Sequence, residues 1–380
     1  MNEPKYDFVI VGAGFAGASC ARLLTDKGYN CLIIEERPFV GGNCLTDKQN
    51  NIDIHFLGPH ILRTNDTYVW EFIKLFGEIH EHKYRFVAWN EGKIYPIPYG
   101  MDLLNVIYNK TWPYECQQEL NKDIIEHKDV SNIKNYVLNN FGESVYTLTI
   151  KNFYEKQYGE FCDNIPIECL IEENIKPLRY LNSYYQEIYQ GVPENGYVNL
   201  IETMLGDDID VLLNVDFLSN KEKYMALGKY VIYTGELDKF FNYCMGSMNW
   251  KGVKFEFRDE SDKASNLSGV PVVNFTDDNI EWYRMTEHKW LTPWRIGDAD
   301  FDSHTFVTYE LHKEWKPGDE AYYPFPDERS LNLSSRYIKR LKTQYPKVFL
   351  CGGKPFYKFR TICETVRDAM NLVDQFEDKQ

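Results

Sequence analysis

The run Gly12-Ala13-Gly14-Phe15-Ala16-Gly17 constrains this chain more than any other feature, because of what stands on either side of it. Before it lies Tyr6-Asp7-Phe8-Val9-Ile10-Val11, an apolar run that reads as a buried strand; after it Ala18, Ala21, Leu23 and Leu24 recur at helical spacing. A second apolar run, Cys31 to Ile34, ends in Glu35, an acid about 20 residues beyond the glycines. Together these pieces predict a β-α-β unit that binds a dinucleotide. Gly12 permits the tight turn, Gly14 lets the backbone approach a pyrophosphate, and Gly17 lets helix and strand pack closely. Phe15 and Ala16 open a helix whose free N–H groups favour phosphate, and Glu35, followed by Glu36, accepts from ribose hydroxyls.

At 380 residues the chain exceeds one ordinary core, so the dinucleotide unit is expected to carry one or two further domains. Residues 102–165 place Ile133, Tyr136, Val137 and Phe141 at helical spacing. From Val272 to Tyr323 the pattern turns β-rich and aromatic, as in Val272-Val273-Asn274-Phe275 and His304 to Tyr309. Val348 to Gly353 reads as a strand ending in a glycine turn, followed by a helix from about Ile362 to Phe376. The expected fold class is α/β: a discontinuous Rossmann-like FAD-binding domain, a helical insertion domain and an antiparallel β-sheet domain. The boundaries are 1–80, 200–245 and 335–380 for the first, 100–165 for the second with a mobile substrate loop, and 81–99, 170–199 and 246–334 for the substrate-binding sheet.

Composition narrows the partners. A formal net charge of −15 repels polyanions, which argues against nucleic acid and requires a local basic pocket for any anionic substrate. No apolar run approaches membrane-spanning length, and the polar start at Asn2, Glu3 and Lys5 is unlike a signal peptide, so a cytoplasmic protein without membrane association is expected. Nine scattered cysteines have no C-x-x-C pair or zinc spacing, so reduced structural thiols and no metal are expected. Tyr184-Tyr185, Trp282-Tyr283 and Tyr322-Tyr323 each stand near an Arg or Lys, as sugar and diphosphate sites often require.

Two features favour FAD over NAD. The glycine motif lies near the start of the sequence, and Arg37 and Gly41-Gly42-Asn43 follow Glu35, resembling the second phosphate-proximal loop of glutathione-reductase-like FAD proteins. Beyond that loop the sequence resembles the UDP-galactopyranose mutase family along nearly its whole length. The resemblance rests on His55-x-x-Gly58-Pro59-His60, Glu155-Lys156-Gln157, Tyr189-Gln190-Gly191-Val192-Pro193, Tyr233-Thr234-Gly235, Asn274-Phe275-Thr276-Asp277, Arg284 with Glu287-His288-Lys289, Gly318-Asp319 and Tyr322-Tyr323-Pro324, in that order. It implies an isomerase that uses reduced FAD to interconvert pyranose and furanose forms of a nucleotide-activated sugar. N5 of the flavin attacks the anomeric carbon and displaces the nucleotide diphosphate, without net oxidation. It also implies roles for particular residues: Arg284 and a second arginine on the diphosphate, Tyr323 and Tyr184 in the substrate pocket with Asn274, and His60 and Gly353 close to the flavin. A homodimer is implied as well.

Several positions depart from the family pattern. Glu155-Lys156-Gln157-Tyr158-Gly159 carries a phenol where the family has a capping indole, and the uracil-stacking tyrosine falls on Phe153. The second arginine is matched by Arg179, with Lys176 as the alternative. Lys354 replaces an arginine, keeping the charge without the bidentate fork, and Phe359 replaces a phosphate-binding tyrosine, a loss Arg360 could offset. These changes cluster on the nucleotide and diphosphate side, so dTDP-fucose or another UDP-hexose stands beside UDP-galactose as the expected donor. An FAD-dependent oxidase and a catalytically dead nucleotide-sugar binder are the alternatives from other classes.

Overall fold

The computed structural model describes residues 4–170 and 178–379. Its first layer is a five-stranded sheet in the order Asp210–Leu212, Cys31–Ile34, Tyr6–Val11, Gly228–Tyr233 and Val348–Leu350, with every pairing parallel. Such strands must be apolar on both faces because helices or other structure cover each side; Phe8, Val9 and Ile10 are fully buried accordingly. The helices Phe15–Asp26, Gly196–Leu205 and Ile362–Val373 bury one face around Ile10, Leu24, Leu200 and Val366. Glu328–Gln344 and Trp250 help to close the other face, around Val9, Val231 and Tyr337. Tyr6–Val11 sits in the middle, and the chain leaves it in both directions across the sheet. A ligand site is expected at the carboxyl ends of strands where an open sheet switches direction in this way. Three turns end there side by side: Gly12 to Gly17, Thr234-Gly235 and Gly352-Gly353.

The second layer is a seven-stranded sheet ordered Tyr323–Pro324, Trp250–Asp259, Phe306–Lys313, Arg284–Glu287, Val272–Phe275, Phe86–Asn90 and Lys93–Ile97. It is antiparallel except where Val272–Phe275 runs parallel to Phe86–Asn90. That exception reflects the long crossover between the two strands, which a parallel pair needs and a hairpin cannot supply. The helices Met101–Tyr108, Pro113–Asp123, Ile133–Val145 and Lys151–Tyr158 pack beside this sheet in a core that includes Phe86, Met101, Phe141 and Tyr283. A three-stranded sheet of Leu62–Thr64, Tyr189–Pro193 and Ile79–Glu81 lies between the two layers in sequence and carries the chain from one to the other.

Among the described residues no helix is long and apolar enough to cross a membrane. Eight of the nine cysteines are buried free thiols and Cys244 is exposed.

Candidate functional site

A cavity of about 560 Å³ runs from the glycine turns of the parallel sheet to the face of the seven-stranded sheet. Its two ends are built differently.

At the first end the wall is backbone. Gly12 has φ +101°, a conformation that favours glycine. A Cβ on Gly17 would sit 1.9 Å from the Gly12 carbonyl oxygen, so only glycine lets this helix start so close to the strand. Gly14 and Gly42 face each other across a gap that a Cβ on Gly42 would narrow to 3.1 Å from the Gly14 Cα. The result is a cradle free of side chains at the N-terminus of the helix Phe15–Asp26, where N–H groups and the helix dipole favour an anion. Phe15, Ala16 and Asn43 also line it. Glu35 is buried and holds the two turns together, its carboxylate accepting from the backbone N–H of Ala13 at 2.8 Å and of Arg37 at 2.9 Å. A carboxylate has further lone pairs, so this arrangement leaves acceptor capacity toward the cavity it lines.

Arg37 supplies a further indication of a ligand. Its Nη2 pairs with Glu320 at 2.7 Å, while its Nη1 is buried and finds no partner among the described residues. An unsatisfied buried guanidinium nitrogen is costly, and a phosphate on the adjacent glycine cradle would satisfy it. The residues present therefore fit a dinucleotide. Glu36 is exposed at the rim and pairs with Lys239 at 3.2 Å.

At the second end the wall is a row of side chains set by strand register. Asn274 lies opposite Arg284, and Arg284 opposite Glu310, on three adjacent strands. Because side chains alternate faces along a strand, residues opposite one another share a face, and these three form a polar row. Arg284 reaches Glu310 at 3.3 Å and Asn274 Oδ1 at 3.4 Å, and the Tyr283 hydroxyl donates to Glu310 at 2.8 Å. Burial alone would lower the Arg284 pKa, but Glu310, Tyr323 and Tyr283 hold it above the ordinary arginine value, so the guanidinium stays charged. Burial, followed by the Glu310 carboxylate, raises the Tyr323 pKa, which keeps its hydroxyl a donor. Glu310 is 1% exposed and its Oε1 finds no hydrogen-bond partner among the described residues, so this end also has unspent polar capacity.

Phe153 stands over the row with its ring 5.3 Å from the Arg284 guanidinium, carried on the helix Lys151–Tyr158. That helix is pinned by Lys156, which donates to the carbonyls of Asp277, Ile280 and Trp282 at 3.0–3.2 Å. Tyr184 stacks on Phe86 at 4.3 Å and lines the same cavity.

Between the two ends lies the loop Gly58-Pro59-His60. Gly58 has φ +91°, and a Cβ on it would meet Glu310 Oε1 at 3.5 Å and Phe255 at 3.6 Å, so the loop rests on the polar row. The His60 ring bonds the Asn43 carbonyl through Nε2 at 2.6 Å, and a carbonyl only accepts, so the proton is on Nε2. Burial lowers the pKa of His60 and keeps the ring neutral. His55 is buried behind it: its Nδ1 accepts from the His60 backbone N–H at 3.2 Å, and its own backbone N–H donates to His288. On the floor, Lys354 bridges Glu236 at 3.1 Å and Glu320 at 2.6 Å beside Gly353. Burial works against the Glu320 charge, yet Lys354 and Arg37 lower its pKa to about 2.

The cavity thus brings together most residues the sequence points to, and three lie outside its lining, one of them Gly17, which packs its helix against Gly12. Arg179 is exposed and outside the cavity lining, and its carbonyl accepts from the Met101 backbone N–H at 2.9 Å at the start of a helix. Its alternative, Lys176, lies outside the described residues. Tyr158 does not cap the cavity; it is 2% exposed and packs behind Tyr323, with ring centroids 6.1 Å apart, beside Tyr154 and Phe325. Phe359 lines the cavity half in solvent, and Arg360 beside it is tied to Asp368 at 3.1 Å. Glu310, Glu320 and Arg63 were not singled out by motif; the last two line the cavity, and Glu310 is buried behind its lining. Glu310 lies one position past the alternating run ending at Tyr309, and the strand Phe306–Lys313 continues through it. Glu320 and Arg63 offered no local signal at all.

Comparison with known proteins agrees with this geometry. The family model described as UDP-galactopyranose mutase matches residues 148–359, and one described as NAD(P)-binding Rossmann-like domain matches residues 10–76. The chain is 27% identical to a probable UDP-galactopyranose mutase of Klebsiella pneumoniae, over 99% of this chain and 95% of that protein. It is also 27% identical to the dTDP-fucopyranose mutase of Escherichia coli, over 97% of each. A crystal structure of reduced UDP-galactopyranose mutase superposes with a TM-score of 0.72 at 14% identity, covering 97% of this chain and 95% of that one, which establishes the shared fold.

Proposed function

The chain belongs to the UDP-galactopyranose mutase family, and from that premise we propose that it interconverts the pyranose and furanose forms of a nucleotide-diphosphate sugar with FAD held in the cradle between Gly14 and Gly42. The observation that carries this reading is continuity: one cavity joins an anion cradle to a buried, charged Arg284 in a row with Asn274 and Glu310. An FAD-dependent oxidase would share the cradle but has no evident need of that row.

When bound in its reduced form, the flavin supplies a nucleophilic N5 for the anomeric carbon. The chain's own residues do the rest. Arg284, kept charged by Glu310, receives the diphosphate as it departs, and Tyr323 donates a hydrogen bond to it; preorganised donors at developing charge are usually the largest catalytic contribution. Phe153 offers a ring face to the nucleobase. Tyr184 and Asn274 line the sugar and phosphate path. His60, neutral and anchored to Asn43, fixes the loop that would face a bound flavin, and Gly353 and Lys354 close the floor.

UDP-galactose and dTDP-fucose are the first donors to test, since the relatives named for each are equally similar to this chain. Dithionite-reduced holoprotein incubated with each pyranose donor is expected to yield the furanose isomer on chromatography. Absence of isomerisation with every UDP- and dTDP-hexose tried, together with tight nucleotide binding, would instead identify a binding protein without catalysis.

A further inference from the structure

The run Glu155-Lys156-Gln157 sits on the helix Lys151–Tyr158, and two of its three side chains serve the fold. The Glu155 carboxylate accepts from the Cys162 backbone N–H at 3.1 Å, and Lys156 is spent on three carbonyls. Gln157 is different. It lines the cavity, is 1% exposed, and its amide nitrogen Nε2 finds no hydrogen-bond partner among the described residues. Such a nitrogen is costly to bury. Its backbone is held, since the carbonyl bonds the His312 ring at 3.2 Å. Gln157 also stands one turn beyond Phe153, so the two share a face of the helix, and Phe153 stands over Arg284. The Tyr323 hydroxyl has the Gln157 amide and the Arg284 guanidinium among its polar neighbours.

The Tyr323 ring is placed by its surroundings. Its backbone pairs with Lys251 across two strands, and Tyr158 backs the ring with centroids 6.1 Å apart. The hydroxyl proton is not placed by these contacts, because a phenol O–H rotates to suit its partners. Its direction decides whether Tyr323 gives its hydrogen bond to a substrate or to Glu310, the carboxylate within its electrostatic reach. The amide nitrogen of Gln157 and the guanidinium of Arg284 can only donate. When both engage the phenol oxygen its lone pairs are used, and the proton is left for the cavity. We infer that Gln157 is a positioning residue: its amide donates to the Tyr323 oxygen as the nucleotide sugar binds and, with Arg284, turns the Tyr323 O–H toward the departing diphosphate. This rests on the mutase reading for what occupies the cavity.

The test compares wild type, Gln157→Met, Gln157→Glu, Tyr323→Phe and the double variant Gln157→Met with Tyr323→Phe, all as reduced holoenzyme. UDP affinity is measured by calorimetry and kcat with whichever donor is isomerised, while flavin content and melting temperature check that each variant is folded. Gln157→Met keeps the length of the side chain without its N–H. It is expected to weaken UDP binding about fivefold, the size of one net hydrogen bond. Its kcat is expected to fall further, by about tenfold or more, because charge on the diphosphate grows as it leaves. Gln157→Glu puts an acceptor where a donor stood, draws the Tyr323 proton to itself, and is expected to lose more than Gln157→Met on both measures. In the Tyr323→Phe background the same Gln157→Met change is expected to cost less than about twofold, since no hydroxyl remains to be turned. Four results would overturn the inference: wild-type UDP affinity and kcat in Gln157→Met; a loss that persists in full on the Tyr323→Phe background, which makes Gln157 a direct substrate contact or a packing residue; a Gln157→Glu variant that loses no more than Gln157→Met; or loss of flavin in step with activity, which makes the role structural. If UDP binding responds as expected but no donor is isomerised, the mutase reading falls and the Gln157–Tyr323 pairing stands.

Discussion

The two ends of the cavity are built by different means. The glycine cradle is made of backbone: Gly12, Gly14, Gly17 and Gly42 act by what they lack, and the N–H groups of one helix are what it offers an anion. The Arg284 row is made of side chains on separate strands, each held in place by another: Asn274 on Arg284, Arg284 on Glu310, Tyr283 on Glu310. A backbone site fails sterically, and all at once. A side-chain row fails electrostatically, in proportion to the charge left unpaired.

The comparison predicts the largest effect at Gly17. A Cβ there meets backbone that cannot move aside, so Gly17→Ala is expected to purify without flavin and to lose roughly 1–3 kcal/mol of stability, measured by absorbance spectrum and denaturant melt. Retention of flavin at wild-type stoichiometry would break the steric account. Next comes Arg284→Ala, expected to lower kcat by about 100-fold or more while flavin content stays normal. An equal loss of flavin in that variant would show that the two ends are not separable.

Glu320 pairs with Arg37 beside the cradle and with Lys354 on the floor, and its effect carries a pH signature. Its folded pKa of about 2 is below the usual 4.5, so its contribution to stability is present above pH 4.5 and is lost as pH falls toward 2. Glu320→Gln is expected to be less stable than wild type by on the order of 1–2 kcal/mol at pH 7, with the gap closing across that acid window in chemical melts. A gap independent of pH would assign the effect to packing. Smaller again is Phe359→Tyr, which restores a hydroxyl at the cavity edge and is expected to tighten UDP binding about fivefold by calorimetry, the worth of one net hydrogen bond near 1 kcal/mol. Smallest is Arg179→Ala: an exposed residue outside the cavity is expected to change kcat/KM by no more than about twofold. A loss comparable with Arg284→Ala would mean that this segment closes over the substrate.

The same contrast explains how much was legible in the sequence. The cradle could be read locally, since strand, glycines, helix and Glu35 occur within one short stretch whose spacing is the structure. The parallel sheet followed from it, as did the final strand and helix, although Ile362–Val373 ends three residues before Phe376. The row could be read only in part. Arg284 and Asn274 stood out through resemblance, but Glu310 is their partner by strand register, a long-range property that local pattern does not contain. Arg63 and Glu187 meet across 124 residues of chain, and Glu320 reaches Arg37 across the boundary between the two sheets. Arg179 went the other way: a match in sequence order placed it among the catalytic residues, while in the fold it is exposed and outside the cavity lining.

The central claim is that the flavin site serves an isomerisation and not an oxidation, and flavin redox accounting during turnover tests it most directly. Oxidised and dithionite-reduced holoprotein are mixed anaerobically with UDP-galactose, and with dTDP-fucose, while flavin absorbance and furanose product are followed together. The mutase account predicts many product molecules per flavin from the reduced protein, none from the oxidised protein, and no change in flavin redox state. Bleaching of the oxidised flavin by the sugar alone, in step with its consumption, would contradict it.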